Sequence, residues 1–355
     1  MLVKRYKLAL ILCLLAGQSL ILTEASGQNR AKRILAAYYF GAGYFTLVPE
    51  NIRHDLDDMK SLGTDIICIG ITENDLDINT GNIGFIVEES HKRGMKVFAV
   101  PSRMAGITAG QPVEPPIFGY HHPHTVTLRK DGSPVVRKRH GILSSFYHPE
   151  VQAYFIRMVK RMIESWDLDG IIWDEPKSTV PEWQDHSALA LKENPDASFV
   201  KYMEDFAAFF SRINREIKAL QPDLQIVHFD EACRNDTVVE VAASIEHLDY
   251  YGSDGKPYPI QCSPHVGNRA AKVLPFYGER YLDAARKKGL KTMMLVENQR
   301  LSMEEVACME ETLPAILEMD LDMLIYYYYG FFNEAQDANM RVIRKHIPNF
   351  KKQSR

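Results

Sequence analysis

The chain has 355 residues, with 42 Lys and Arg against 46 Asp and Glu, for a formal net charge of −4. That length suits one large barrel or two smaller domains. Its ordinary apolar and charged fractions exclude a disordered or low-complexity chain. Acids and bases are interspersed without the basic stripe of a nucleic-acid binder, and the short cluster Arg137-Lys138-Arg139 reads as a solvated hairpin edge.

The N-terminus stands apart. Lys4, Arg5 and Lys7 precede an almost wholly apolar run over 8–22, and Thr23, Glu24, Ala25, Ser26 and Gly27 follow. This is the order of a secretory signal, expected over 1–25 with cleavage near Ala25. The run is shorter than the roughly 20 residues of a membrane span. The mature chain is therefore expected to lack an integral span and to be secreted, periplasmic or at the cell surface. Removing the signal takes Cys13 and leaves Cys68, Cys233, Cys262 and Cys308, widely spaced and without a zinc-type C-x-x-C pair. Cys68 reads as buried strand. A disulfide among the four is compatible with an oxidising compartment.

From residue 33 onward, short apolar runs alternate with longer amphipathic segments. The runs cover 34–40, 65–71, 96–101, 170–174, 224–229, 248–251, 291–296 and 323–329. Near-continuous apolar runs suit parallel strands buried on both faces. Helical patterns fill the gaps at 49–62, 83–93, 149–166, 197–220, 276–288, 303–319 and 334–347, with a weaker one at 236–247. Eight strand–helix repeats predict an α/β fold, a single (β/α)8 TIM barrel over 28–350. The runner-up, an open dinucleotide-binding sheet, wants a third glycine after Gly41 and Gly43 that is absent. Two long loops follow strands three (104–148) and six (252–275). The first holds Pro115-Pro116, His121-His122-Pro123-His124 and a turn expected at Asp131-Gly132.

Barrel active sites lie at the C-terminal strand ends. Those ends carry Tyr39, Arg103, Trp173, Asp174, Glu175, His228, Asp230, Glu231, Tyr251, Asp254, Glu297, Asn298 and Tyr328, and the long third loop adds His140. Carboxylates and aromatics are what glycoside hydrolysis needs: one acid protonates the leaving oxygen, and another attacks the sugar carbon or activates water. The expected partner is an oligo- or polysaccharide. Neither cofactor nor metal is expected, because the three loop imidazoles lack a supporting ligand motif. Trp183, in the loop after strand four, is the better candidate for an exposed stacking ring.

The stretch from His148-Pro149-Glu150-Val151 to Asp169-Gly170-Ile171-Ile172-Trp173-Asp174-Glu175-Pro176 resembles the helix-three to strand-four segment of many barrel glycoside hydrolases. The likeness is close over 148–176 and loose over the rest of the barrel. In the retaining families whose acid/base ends strand four and whose nucleophile ends strand seven, strand four closes with Asn-Glu, often Asn-Glu-Pro. That resemblance implies Glu175 as acid/base and Glu297 as nucleophile, with Asp174 in place of the usual Asn. A second resemblance, to α-glycosidase-like barrels, implies Asp174 as nucleophile with Glu231 or Asp254 as acid/base. Regular strand periodicity would send Asp174 and Glu175 to opposite faces, and a bulge would change this. The chitinase pattern fits poorly, since it wants acids where Ile172 and Pro176 stand. Among the substrate contacts expected are Tyr39, Arg103, His140, Trp173, His228, Asp230, Glu231, Tyr251, Asp254, Asn298 and Tyr328. A carbohydrate-binding barrel without catalysis is the competing function.

Overall fold

The computed structural model describes residues 32–39, 48–138, 141–258, 274–328 and 334–352. The expected signal segment, Gly41 and Gly43, His140, and most of the loop after strand six lie outside the described residues. Eight parallel strands close into a barrel: β1 (Ile34–Tyr39), β2 (Ile66–Ile71), β3 (Lys96–Pro101), β4 (Gly170–Asp174), β5 (Gln225–Glu231), β6 (Tyr250–Gly255), β7 (Lys291–Val296) and β8 (Met323–Tyr327). Each strand pairs with the next in sequence, and β8 returns to β1 with Ala36 opposite Ile325. The predicted TIM barrel is the fold observed.

Strand residues alternate between two cores. Ala36, Tyr38, Cys68, Phe98, Ile172, Phe229, Tyr250, Leu295, Ile325 and Tyr327 fill the barrel interior. Their neighbours Ala37, Tyr39, Ile67, Trp173, Tyr251, Met294 and Tyr326 pack outward against the helices. Both faces are therefore dry, which is why β2 reads Ile-Ile-Cys-Ile-Gly-Ile with every residue buried. Strands β5 and β6 run further than their apolar runs predicted. Ladder pairing continues through Asp230 opposite Ser253 and Glu231 opposite Asp254, so the strands carry acids up to the rim.

The outer layer is α1 (Pro49–Ser61), α2 (Thr80–Lys92), α3 (Pro149–Ser165), α4 (Phe199–Leu220), α5 (Asp236–Ala242), α6 (Glu279–Lys287), α7 (Met303–Glu318) and α8 (Gln336–His346). Local chemistry sets their starts. Proline opens α1 and α3. Ser198 caps α4, and Ser302 with Glu305 forms a capping box on α7. The apolar stripe of α3, including Val151, Phe155, Val159 and Met162, is buried, as its helical spacing predicted.

At the N-terminal end of the barrel one hydrogen bond recurs four times. An aspartate just before each even-numbered strand accepts the backbone N–H of the preceding odd strand. Asp65 accepts from Leu35 (3.2 Å), Asp169 from Val97 (2.8 Å), Asp249 from Ile226 (2.8 Å) and Asp322 from Thr292 (2.9 Å). Side chains hold three of these carboxylates from outside: the Lys351 ammonium on Asp65, the His91 ring on Asp169 and the Lys218 ammonium on Asp249.

In the loop after β3, the turn expected at Asp131-Gly132 forms, with Gly132 at φ 79 and the Ser133 amide and hydroxyl donating to Asp131. A short antiparallel pair, Val136–Arg137 with Gly141–Ile142, follows. Glu73 anchors the loop by accepting the backbone N–H groups of Ala105, Ile117 and Phe118. Two of the three loop imidazoles do converge: His122 (3.2 Å) and His124 (2.9 Å) reach the Glu150 carboxylate at the start of α3.

Candidate active site

The barrel interior closes upward on two phenols. Tyr38 and Tyr327 lie with ring centroids 5.1 Å apart, and the Tyr38 hydroxyl donates to Asp174 at 2.6 Å. Asp174 is the last residue of β4, in the inward register of Ile172. Burial, and then the neighbouring Glu175 charge, push its carboxyl up to about 6, while the Tyr38 hydroxyl bond pulls the other way.

Glu175 does not follow to the opposite face. Its backbone sits at φ 34, a left-handed conformation uncommon outside glycine. This break in the strand lets two consecutive acids serve one end of the barrel. The Glu175 carboxylate contacts Lys177, whose ammonium also donates to Glu231 at 3.1 Å. Glu231 is paired in turn with Arg234 at 2.8 Å. Across the mouth, Glu297 follows β7 and pairs with Lys256 at 3.2 Å. Carboxylate oxygens of Glu175, Asp254 and Glu297 lie within 4.8 Å of one another, and all three residues are buried.

The loop after β3 is fastened to the ends of β3 and β4. Ser102 donates its hydroxyl to the Gln111 carbonyl, Ala109 N–H to Asp174 O, and Lys177 N–H to Ile107 O. The loop comes so close that a Cβ on Gly70 would stand 1.7 Å from the Gln111 carbonyl oxygen. Arg103, two residues past β3 with φ 59, is 5% exposed and lies within electrostatic reach of Asp174 and Glu175.

Of the residues singled out in the sequence, Asp174, Glu175, Glu231, Asp254, Glu297 and Arg103 come together. Others do not, and each departure has a physical reason. Tyr39 points into the helix layer and donates to Asp55 (2.9 Å), because Tyr38 holds the inward register. Trp173 faces α4 and donates to Asn214 (2.9 Å). His228 is fully buried near Phe206, Phe210 and Tyr251, with Nε2 3.0 Å from Asp230. Asp230 also accepts the Thr179 hydroxyl, so it braces the loop after β4 from beneath. Tyr251 donates to Val239 O. Asn298 exchanges bonds with the Tyr327 backbone and contacts Asn339 of α8. Tyr328 faces outward, donating to Asp58. His140 lies outside the described residues.

Sequence reasoning missed Tyr38, Tyr327, Lys177, Lys256, Arg137 and Arg234. Strand alternation counted back from Asp174 would have found the inward partners on β4. The tyrosines on β1 and β8 needed the cross-strand register. Arg137 is no solvated hairpin edge: its guanidinium lies over the half-buried Trp183 ring, 4.9 Å from the centroid.

No protein-family model and no curated protein matches this chain. Many solved structures do, at low identity. One is an endo-1,4-β-mannanase from Rhizomucor miehei: TM-score 0.56, 11% identity, covering 92% of this chain and 97% of that one. Another is the catalytic domain of a β-amylase from Paenibacillus polymyxa: TM-score 0.54, 9% identity, 91% and 100% covered. A third is an exo-β-N-acetylglucosaminidase from Vibrio harveyi: TM-score 0.54, 8% identity, 92% and 55% covered. At these identities the likeness is one of fold, the (β/α)8 barrel found in these glycosidases.

Proposed function

We propose that the protein is a glycoside hydrolase acting with retention of configuration, Glu297 serving as nucleophile and Glu175 as acid/base. One observation carries this reading: buried carboxylate oxygens of Glu175 and Glu297 lie within 4.8 Å. Retaining enzymes hold their two carboxyl groups about 5–5.5 Å apart, and inverting enzymes about 6.5–9.5 Å, to admit a water. The Lys256 ammonium favours the ionised form of Glu297, as attack on the sugar carbon requires. Glu175 would protonate the glycosidic oxygen and then take a proton from the water that releases the sugar. Lys177, shared with Glu231, would follow these charge changes without leaving the cup. Asp254 stands within reach of both carboxylates and suits a sugar hydroxyl.

A second assignment has its own support. Asp174 points inward and receives a phenol hydrogen bond, and Asp254 of β6 stands in the same cup as Glu175, an arrangement suited to Asp174 as nucleophile. Trapping with 2-fluoro glycosides followed by peptide mass mapping separates the two. The adduct is expected on the peptide holding Glu297, and an adduct on Asp174 transfers the role. Glu297→Gln should lose activity by on the order of 10³-fold with its fold retained; a fully active variant overturns the assignment. Binding without turnover across a broad glycan panel would favour the non-catalytic barrel. Secretion is part of the same reading. It is supported by the residue order over 1–25 and by a disulfide at Cys308, and it predicts a mature N-terminus near Ser26 by intact-protein mass.

A further inference from the structure

Three guanidinium groups converge on the carboxylate cup. Arg103 is 5% exposed, and its Nε and Nη1 are buried with no hydrogen-bond partner among the described residues. Arg137 reaches in from the short hairpin with its Nε also buried and unpartnered, braced against Trp183. Arg234 is 8% exposed and pairs with Glu231, leaving its Nε without a partner. Burial, and then the charge of Arg103, disfavour the charged form of Arg137, which also feels Glu175, Glu231 and Arg234.

Burying a cation without an acceptor is costly, and the acids nearby do not supply one to Arg103. Glu175 and Glu231 are held by Lys177, Glu297 by Lys256, and Asp174 by the Tyr38 hydroxyl. A neutral sugar would bring only hydroxyls to these donors. A planar guanidinium instead matches two oxygens of one anionic group. We propose that the carbohydrate substrate carries an acidic group, a carboxylate or a sulfate on the sugar ring, which Arg103 receives with Arg137 and Arg234 beside it. This rests on the glycosidase reading above and names the substrate class for that same cup.

The test offers the full chain matched sets of α and β aryl glycosides: neutral hexosides, hexuronides and 6-sulfated hexosides. Wild type, Arg103→Lys and Arg137→Met are compared. Wild type is expected to favour an acidic set over its neutral counterpart by about 100-fold or more in kcat/KM, and the uronide and sulfate arms tell the two sources apart. Arg103→Lys should lose about tenfold on the acidic set, mostly in KM, and little on the neutral one. Arg137→Met, changed on an outlying hairpin, should lose part of the same preference even if the first variant folds poorly. Equal turnover of neutral and acidic glycosides, or equal losses on both, overturns the inference and leaves the glycosidase reading standing. If no glycoside is cleaved, that reading fails. Calorimetric titration with glucuronate, glucose 6-sulfate and glucose then decides the subsite alone. Acid-selective binding that weakens with salt and in Arg103→Lys upholds it, and no preference over glucose overturns it.

Discussion

Asp174 and Glu175 are adjacent in the chain, yet they meet different neighbours. Asp174 lies deeper, and burial holds its carboxyl at about 6. Glu175 is drawn to Lys177. The Asp174 shift has a signed consequence for stability. The folded carboxyl titrates near 6 and an unfolded one near 3.9, so the folded state binds the proton more tightly. This contribution is fully present below about pH 4 and is lost as pH rises through 6. Asp174→Asn should therefore remove a stability decline of on the order of 2–3 kcal/mol between pH 4 and 6, read by denaturant unfolding at several pH values. An unchanged slope would place the titration elsewhere. Tyr38→Phe removes the bond that lowers Asp174 and should move this stability decline to higher pH, by about one pH unit, read by the same unfolding series.

At the scale of elements, the strands were largely legible, because parallel strands buried on both faces leave unmistakable apolar runs. Their upper ends were not. β5 and β6 continue past Phe229 and Tyr251 into polar residues, where ladder hydrogen bonds, which leave no mark in hydropathy, still hold the backbone. Facing was the other loss. Tyr39, Trp173, Tyr251 and Tyr328 stand at strand ends but look outward, and only the register across neighbouring strands decides between Tyr38 and Tyr39 or Tyr327 and Tyr328. Six of the candidate site residues that come together were legible because acids and a cation at strand ends are costly anywhere but a rim. Asn298 illustrates the difference between reaching a ligand and holding a strand. Its amide bridges β7 to Tyr327 and α8. Asn298→Ala should cost about 2–4 kcal/mol in unfolding free energy, from buried backbone groups left unpaired. Substrate KM should stay unchanged if the role is structural. On α3, Phe155→Ala should cost about 3–5 kcal/mol, since its ring is fully buried between the barrel and α4.

For the whole molecule, the candidate site and the recurrent aspartate–amide bonds occupy opposite ends of the barrel. The rim holds left-handed residues at Arg103, Glu175 and Arg300 and a crowd of like charges, features that cost stability. The N-terminal end holds the four aspartate–amide bonds that join β1 to β2, β3 to β4, β5 to β6 and β7 to β8. Those bonds never cross from an even strand to the next odd one. They add a clasp within each of four strand pairs, on top of the ladder hydrogen bonds that run between every neighbouring strand. A chain opened in the turn between α4 and β5 would keep every fastening inside one half or the other. Two half-barrels expressed as separate polypeptides should then find each other and restore the closed ring, whereas a cut between β5 and β6 should not be mended as readily.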